Sequence, residues 1–514
     1  MNPGQIGMIV TIAVYLIGMV AVGVYFSKRG SSNSSSDFFL GGRKVGPLVT
    51  AMSAEASDMS SWLLMGLPGV AYLTGIADAG WTAIGLAVGT YFNWLLVAKR
   101  LRRYTIAADN AITIPAFFSR RYRDNKNLLT CIAAIVILVF FIPYTASGFK
   151  AIGTLFNSLF GVNYHLSMIL GALVVIGYTV LGGFLAVSTT DLMQSIVMSI
   201  ALVAIVFFGV SCAGGWSAVA QNAQDLAGYL SLTQLHDLAS GAATPYGFLT
   251  IVSTMAWGLG YFGMPHILLR FMAIRDEKEL PTSRRIGTIW VVISMFVAIV
   301  IGLIGNAASK AGALPQLTTS AESETVVIQF AFLLSQNGIL AALLGGLVIA
   351  GILASTMSTA DSQLLTAASA VSQNLLQDCF KIKMSTKVSM LTARLTVVII
   401  SLIGVILAWD PNSSVFKIVS FAWAGFGAAF GPVVLFALFW KRSNKWGALA
   451  GMVSGGVMVF VWKFLVRPIG GVWDLYELLP AFLVASIAIV AVSLLTAAPS
   501  KEICDEFDAV KTMR

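Results

Sequence analysis

Thirteen mostly apolar stretches divide this chain almost end to end, and no other feature constrains its fold as strongly. They run over 6–26, 46–73, 78–98, 128–150, 163–183, 190–212, 247–273, 287–308, 338–373, 388–408, 413–440, 446–466 and 477–496. Each approaches or exceeds the roughly 20 residues that a helix needs to cross the hydrocarbon core of a bilayer. The first does not read as a cleavable signal, because no basic residue precedes it and Lys28 and Arg29 follow it. Composition agrees: 57% of the 514 residues are apolar and 11% are charged, whereas soluble domains carry about 25% charged residues. The expected fold class is an all-α polytopic membrane protein of about 13 transmembrane helices. A soluble enzyme and a secreted disulfide scaffold are excluded.

The basic residues orient the spans. Of the 32 Lys and Arg residues, 27 fall after odd-numbered spans, chiefly in 99–126, 270–285, 381–394 and 441–445 and in the tail. Only Lys150, Lys310, Lys417, Lys463 and Arg467 fall on the other side. The positive-inside rule then expects an outside N-terminus and a cytoplasmic C-terminus in a bacterial cytoplasmic membrane. The connection 214–246 has no Lys or Arg, which suits an external loop. The net charge of +9 is thus topological. The lipid bilayer is an expected partner, and neither nucleic acid nor an obligatory protein partner is. The four cysteines, Cys131, Cys212, Cys379 and Cys504, show no paired spacing, so neither a disulfide nor a transition-metal site is expected. A G-x-x-x-x-G-K-[ST] loop is absent, as is a nucleophile–base pair. Ion gradients, not nucleotides or cofactors, are left to drive any work.

Two spans are broken, and they lie five apart. Span 2 carries Ser53-Ala-Glu55-Ala-Ser57-Asp58-Met-Ser60-Ser61 followed by Gly66-Leu-Pro68-Gly69, and span 7 carries Trp257-Gly258-Leu-Gly260-Tyr261-Phe-Gly263-Met264-Pro265. An odd offset means that they enter from opposite faces, as the leading helices of an inverted repeat would. A broken helix leaves carbonyls and amides that protein, water or ligand must satisfy. Half-helix C-termini favour cations and N-termini favour carboxylates, so a cation with a zwitterionic solute would satisfy both. Pro265 denies the Tyr261 carbonyl its helical donor. Trp257, Tyr261 and Pro265 would share a face if the helix were continuous.

Span 9 adds Ser355, Ser358, Thr359 and Ser362 at i, i+3, i+4 and i+7, one helical face of hydroxyls suited to a hard monovalent cation. Acids within a membrane are costly and mark function by default. Here they are Asp58 inside the break, Glu55 three residues before it, Asp191 at the start of span 6, and Asp361 beside the hydroxyl face. No His–acid relay accompanies them, which weakens proton coupling relative to a metal cation.

The runs SAEASDMSSWLLMGLPG (53–69), AWGLGYFGMPHILLRFMA (256–273) and ILASTMSTADSQLL (352–365) resemble the sodium:solute symporter family, and its proline-transporting members in particular. FLGGRKVGP (39–47), FFIPYTASGF (140–149) and FAWAGFGAAFGP (421–432) extend the resemblance almost end to end. It implies a leucine-transporter-like inverted five-plus-five repeat with one extra N-terminal and two extra C-terminal helices. That makes one transporter domain, with repeats over 46–212 and 247–440, extra helices at 6–26 and 446–496, and a cytoplasmic tail at 497–514. It further implies L-proline uptake with Na+ by alternating access, or the same chemistry on another small amino acid or carboxylate.

Carried over by motif, sodium would be held by carbonyls of Ala56, Met59 and Ser355 and hydroxyls of Ser358 and Thr359, with Asp58 as a nearby charge. Ser57, Ser60 and Ser61 would join ion to substrate, and Tyr144, Trp257, Tyr261, Met264 and Pro265 would shape the solute pocket. Arg43 matches a position linked to cytoplasmic-side coupling. Asp191, with Ser358 and Thr359, resembles the second sodium site of some members, which leaves one or two ions open. Ser61 and Met264 depart from the Gly and Gln of the proline-transporting pattern.

Overall fold

Each expected span is helical, and the spans are numbered 1 to 13 in chain order. The structure, a computed structural model, describes residues 3–29, 35–181 and 183–512. Arg514 and the side chains of Lys28 and Arg29, counted above among the basic residues, lie outside what is described. Span 1 is Pro3–Arg29. Span 2 joins Pro47–Ser61, Trp62–Gly66 and Leu67–Thr74. Span 3 is Ile76–Ala107, span 4 Leu128–Phe160, span 5 Tyr164–Leu181 and span 6 Phe184–Cys212. Span 7 joins Phe248–Met255, Ala256–Gly263 and Pro265–Ala273. Span 8 is Leu280–Lys310, span 9 Ile339–Cys379, span 10 Thr386–Leu407 and span 11 Val415–Phe439. Span 12 is Lys445–Ile469 and span 13 Leu478–Leu495.

Among the described residues, ten helices are long and apolar enough to cross a bilayer unaided. Spans 2, 5 and 7 are not among them: span 5 holds only a shorter apolar helix, Tyr164–Gly177, while a polar run in span 2 and a glycine-rich run in span 7 interrupt the helix. Helix starts are set by polar side chains: Ser385, Ser414 and Asn444 accept hydrogen bonds from the Val388, Lys417 and Gly447 amides at the heads of spans 10, 11 and 12. Spans 2–6 and 7–11 form the inverted five-plus-five arrangement, led by the two broken helices. These sit at the centre, touched by Tyr144 of span 4, Ser358 of span 9 and Trp423 of span 11. Gly89 and Gly258 let spans 3 and 7 meet backbone to backbone: a Cβ on Gly89 would stand 2.3 Å from the Gly258 carbonyl oxygen.

Three sequence readings change. Span 4 runs to Phe160, a 33-residue helix, rather than ending at 150. Lys150 therefore lies inside the protein, where its ammonium meets the Glu324 carboxylate at 3.4 Å. Glu324 also accepts from Ser414 Oγ at 2.7 Å and from the amides of Val415 and Phe416, so one buried acid caps span 11 and neutralises Lys150. Cys131 and Cys379, expected to be unpaired, form a disulfide between the start of span 4 and the end of span 9, with Cα atoms 5.9 Å apart. A separation of 248 residues left no spacing signal for that pair. The tail forms a helix, Lys501–Thr512, whose Phe507 packs under the guanidinium groups of Arg100 and Arg121.

Candidate functional site

The break in span 2 falls at Ser60, whose φ of 46° and ψ of −171° take the chain out of the helix. A left-handed φ at a residue with a Cβ costs on the order of 1–2 kcal/mol, so the surrounding packing imposes it. Ser60 Oγ accepts from the Trp62 amide at 3.1 Å, which restarts the helix. Span 9 lies against the carbonyls that the break exposes. Ser358 Oγ donates to Ala56 O at 2.8 Å and lies 3.2 Å from Ser355 O, and Thr359 Oγ1 donates to that same Ser355 carbonyl at 3.2 Å. Four of the five expected ion ligands thus converge as oxygens with no nitrogen or sulfur among them, the donor chemistry of a hard cation. Met59 is buried on the same turn, and its carbonyl takes the Trp62 amide.

Asp58 stands beside this cluster and faces span 7. Its carboxylate accepts a very short hydrogen bond from the Tyr261 hydroxyl, while its own carbonyl accepts from Tyr144 Oη at 3.2 Å. Ser60, Ser61, Tyr144 and Thr359 share a small cavity of about 10 Å³. The hydroxyl of Ser61 is buried there with no partner among the described residues, whereas Ser57 turns back to the Ala54 carbonyl. Glu55 points away from the cluster, to Thr90 Oγ1 and Trp94 Nε1 of span 3.

Span 7 is unwound into a 3-10 helix over Ala256–Gly263, is extended at Met264 and becomes α-helical again at Pro265. A 3-10 helix turns about 120° per residue, so Trp257 and Tyr261 do not share a face, as they would in a continuous α-helix. Trp257 points into an aromatic cluster with Trp62, Phe416 and Tyr476, at ring distances of 5.7, 5.5 and 5.2 Å. Tyr261 points to Asp58. Met264 and Pro265 are buried at the turn. The carbonyls that unwinding exposes are met by two side chains that sequence reasoning missed. Trp423 Nε1 donates to Trp257 O at 2.7 Å, and Asn93 Nδ2 donates to Tyr261 O at 3.0 Å. An in-span Asn and the Trp within FAWAGFGAAFGP were the available signals.

Asp191 also gains an unforeseen partner. Arg270 had been counted with the connections at the basic face, yet it is buried in the inner half of span 7. Its Nη2 lies 3.1 Å from Asp191 Oδ2 and 2.5 Å from Ser362 Oγ, and its Nε donates to Ser53 Oγ at 3.0 Å. Ser53 Oγ in turn donates to Asp191 Oδ2 at 2.6 Å. Spans 2, 6, 7 and 9 are tied together through this one guanidinium.

The two faces of the molecule differ. From the face where span 1 begins, a cavity of about 1140 Å³ descends between spans 2, 7, 11 and 12 to a floor that includes Trp257 and Phe416. On the opposite, basic face, hydrogen bonds tie several segments together. Arg43 donates to the carbonyls of Met272 at 2.6 Å and Ala111 at 3.0 Å and to Asn110 Oδ1 at 3.1 Å. Burial, and then the neighbouring Arg102, pull its pKa down to about 10, which leaves it charged at neutral pH. Beside it, the Val45 amide donates to Ala273 O and the Arg275 amide to Val45 O.

The profile of the sodium:solute symporter family matches residues 38–455, which include both broken helices and the hydroxyl face of span 9. The chain belongs to the sodium:solute symporter family. Among curated family members, the osmoregulated proline transporter OpuE of Bacillus subtilis (strain 168) is 41% identical over 498 residues, 97% of this chain and 96% of that protein. A sodium/proline symporter of Staphylococcus aureus (strain USA300) is 40% identical, covering 98% of this chain and 95% of that one. The fold matches a solved Na+-coupled sialic acid symporter in a substrate-bound outward-open state. The TM-score is 0.75 at 20% identity, over 96% of this chain and 99% of that one. This symporter-family member pairs its two broken helices with a large cavity on one face and a hydrogen-bonded cluster around Arg43 on the other.

Proposed function

We propose that this chain is a secondary transporter that carries L-proline inward with Na+ by alternating access, and that it catalyses no covalent reaction. The observation that carries the reading is the placement of Ser358 Oγ between the Ala56 and Ser355 carbonyls, beside the charge of Asp58. Rotating that hydroxyl's proton outward turns the cluster into an oxygen cage for one monovalent ion. The two proline-transporting relatives supply the solute. Trp257, Tyr261 and Tyr144 supply aromatic surface for its ring, and the head of the α-helix at Pro265 faces its carboxylate. The basic face is read as cytoplasmic, which makes the large cavity the external vestibule and Arg43 part of the inner seal. One transporter domain with repeats at 46–212 and 247–440 would then rock about the site.

We read a single sodium per cycle, because Asp191 is neutralised by Arg270 and needs no second ion. One ion suffices: about 2.3 kcal/mol at 100 mV plus about 1.4 kcal/mol for a tenfold gradient supports roughly 500-fold accumulation. The test is thermal stabilisation of the purified chain by L-proline, in sodium and in potassium at fixed pH. Stabilisation in sodium alone is expected, and equal stabilisation in potassium overturns the coupling. A second reading, another small amino acid or carboxylate as solute, is favoured by the apolar Met264 at the turn. It takes over where proline fails and a competitor panel succeeds.

A further inference from the structure

The lipid-facing side of the last two spans carries a groove that transport does not use. Trp446, Leu449, Ala450 and Val453 fall at i, i+3, i+4 and i+7 on span 12. With Val492 of span 13 and Thr496 just after it, they wall an apolar cavity of about 480 Å³. From Trp446 to Val453 the groove runs about 10 Å into the bilayer. At its mouth on the basic face it meets a second hollow of about 80 Å³, which shares Trp446 and Leu449 and adds Lys126 and Lys445.

Lys445 lies 5.1 Å from the Trp446 ring, and neither lysine is ion-paired among the described residues. The one acid in the hollow, Asp124, is buried and has its Oδ2 taken by the Leu129 amide at 2.9 Å, capping span 4. At the far wall Arg442 donates from Nη2 to the Thr496 carbonyl at 2.8 Å, while its Nη1 is buried with no partner among the described residues. An apolar slot at membrane depth, an aromatic side chain at its mouth and two unpaired lysines at headgroup level match one chemistry.

We propose that this groove holds one anionic glycerophospholipid from the leaflet at the basic face. Its phosphate sits between Lys126 and Lys445, and one acyl chain lies along Trp446–Val453. Each lysine near an anionic surface favours binding about fivefold.

The full chain, purified from nanodiscs of equimolar phosphatidylglycerol and phosphatidylcholine, would be examined by native mass spectrometry. Wild type is expected to retain phosphatidylglycerol preferentially, with the preference falling about fivefold in Lys126→Gln or Lys445→Gln and about 25-fold in the double variant. Val453→Trp fills the slot at an exposed position, leaves both charges in place, and is expected to lose the retained lipid altogether. Three results would overturn the proposal: no preference in wild type, an unchanged preference in the double lysine variant, or full retention by Val453→Trp.

Discussion

Replacing Ser358 by alanine tests the ion site most directly. Its oxygen lies 2.8 Å from Ala56 O and 3.2 Å from Ser355 O, so it is the side chain that joins the break in span 2 to span 9. Alanine keeps the helix and removes one neutral ligand of a charged guest. Interactions of that kind contribute about 1.5–3 kcal/mol, or roughly 10- to 150-fold in affinity. The half-saturating sodium concentration for proline-induced thermal stabilisation should rise by that factor, while stabilisation at saturating sodium returns. Ser369→Ala, three turns along the same helix, is the control. Its hydroxyl is back-bonded to the Thr366 carbonyl at 2.7 Å and belongs to no cluster, so sodium dependence should not move. A shift below about threefold in Ser358→Ala, or an equal shift in both variants, would refute the assigned cage.

Three other outcomes follow from the packing. Arg270→Gln leaves the Asp191 carboxylate buried without its cation, at a cost of about 3–5 kcal/mol in thermal stability, and adding Asp191→Asn should restore most of it; strictly additive losses would sink the pairing argument. Asn93→Ala strands the Tyr261 carbonyl in a buried site, so a loss of about 1–3 kcal/mol and a raised half-saturating proline concentration are expected, with wild-type values counting against the propping role. Phe507→Ala removes the apolar anchor of the tail helix, and limited proteolysis should cut within 497–512 at least tenfold faster; unchanged protection would show that the ion pairs of Arg123 and Lys441 hold the tail without it.

Hydropathy exposed the thirteen spans because a bilayer demands about 20 apolar residues per crossing, and that demand is local in sequence. The two breaks were legible for the same reason: Ser60 and the glycines of 256–263 interrupt otherwise apolar runs. Tertiary pairing of charges was not legible. Arg270 and Lys150 each sit near the end of an apolar run, where a basic residue ordinarily marks a connection. Only the folded chain brings Asp191, 79 positions away, and Glu324, 174 positions away, to neutralise them. The face that Trp257 and Tyr261 would share in a continuous α-helix is absent for a local reason. The stretch winds as a 3-10 helix, held open by Asn93 and Trp423 from neighbouring spans.

That winding gives span 7 a mechanical property. A 3-10 turn rises about 2.0 Å per residue against about 1.5 Å in an α-helix, so the eight residues of Ala256–Gly263 are about 4 Å longer than their α-helical form. Rewinding them would bring Pro265 closer to Ala256 by that length and twist it by about 160°, since the two helices differ by about 20° per residue. The segment is a short screw thread, and the hydroxyl of Tyr261 engages the carboxyl group of Asp58 at one setting of it.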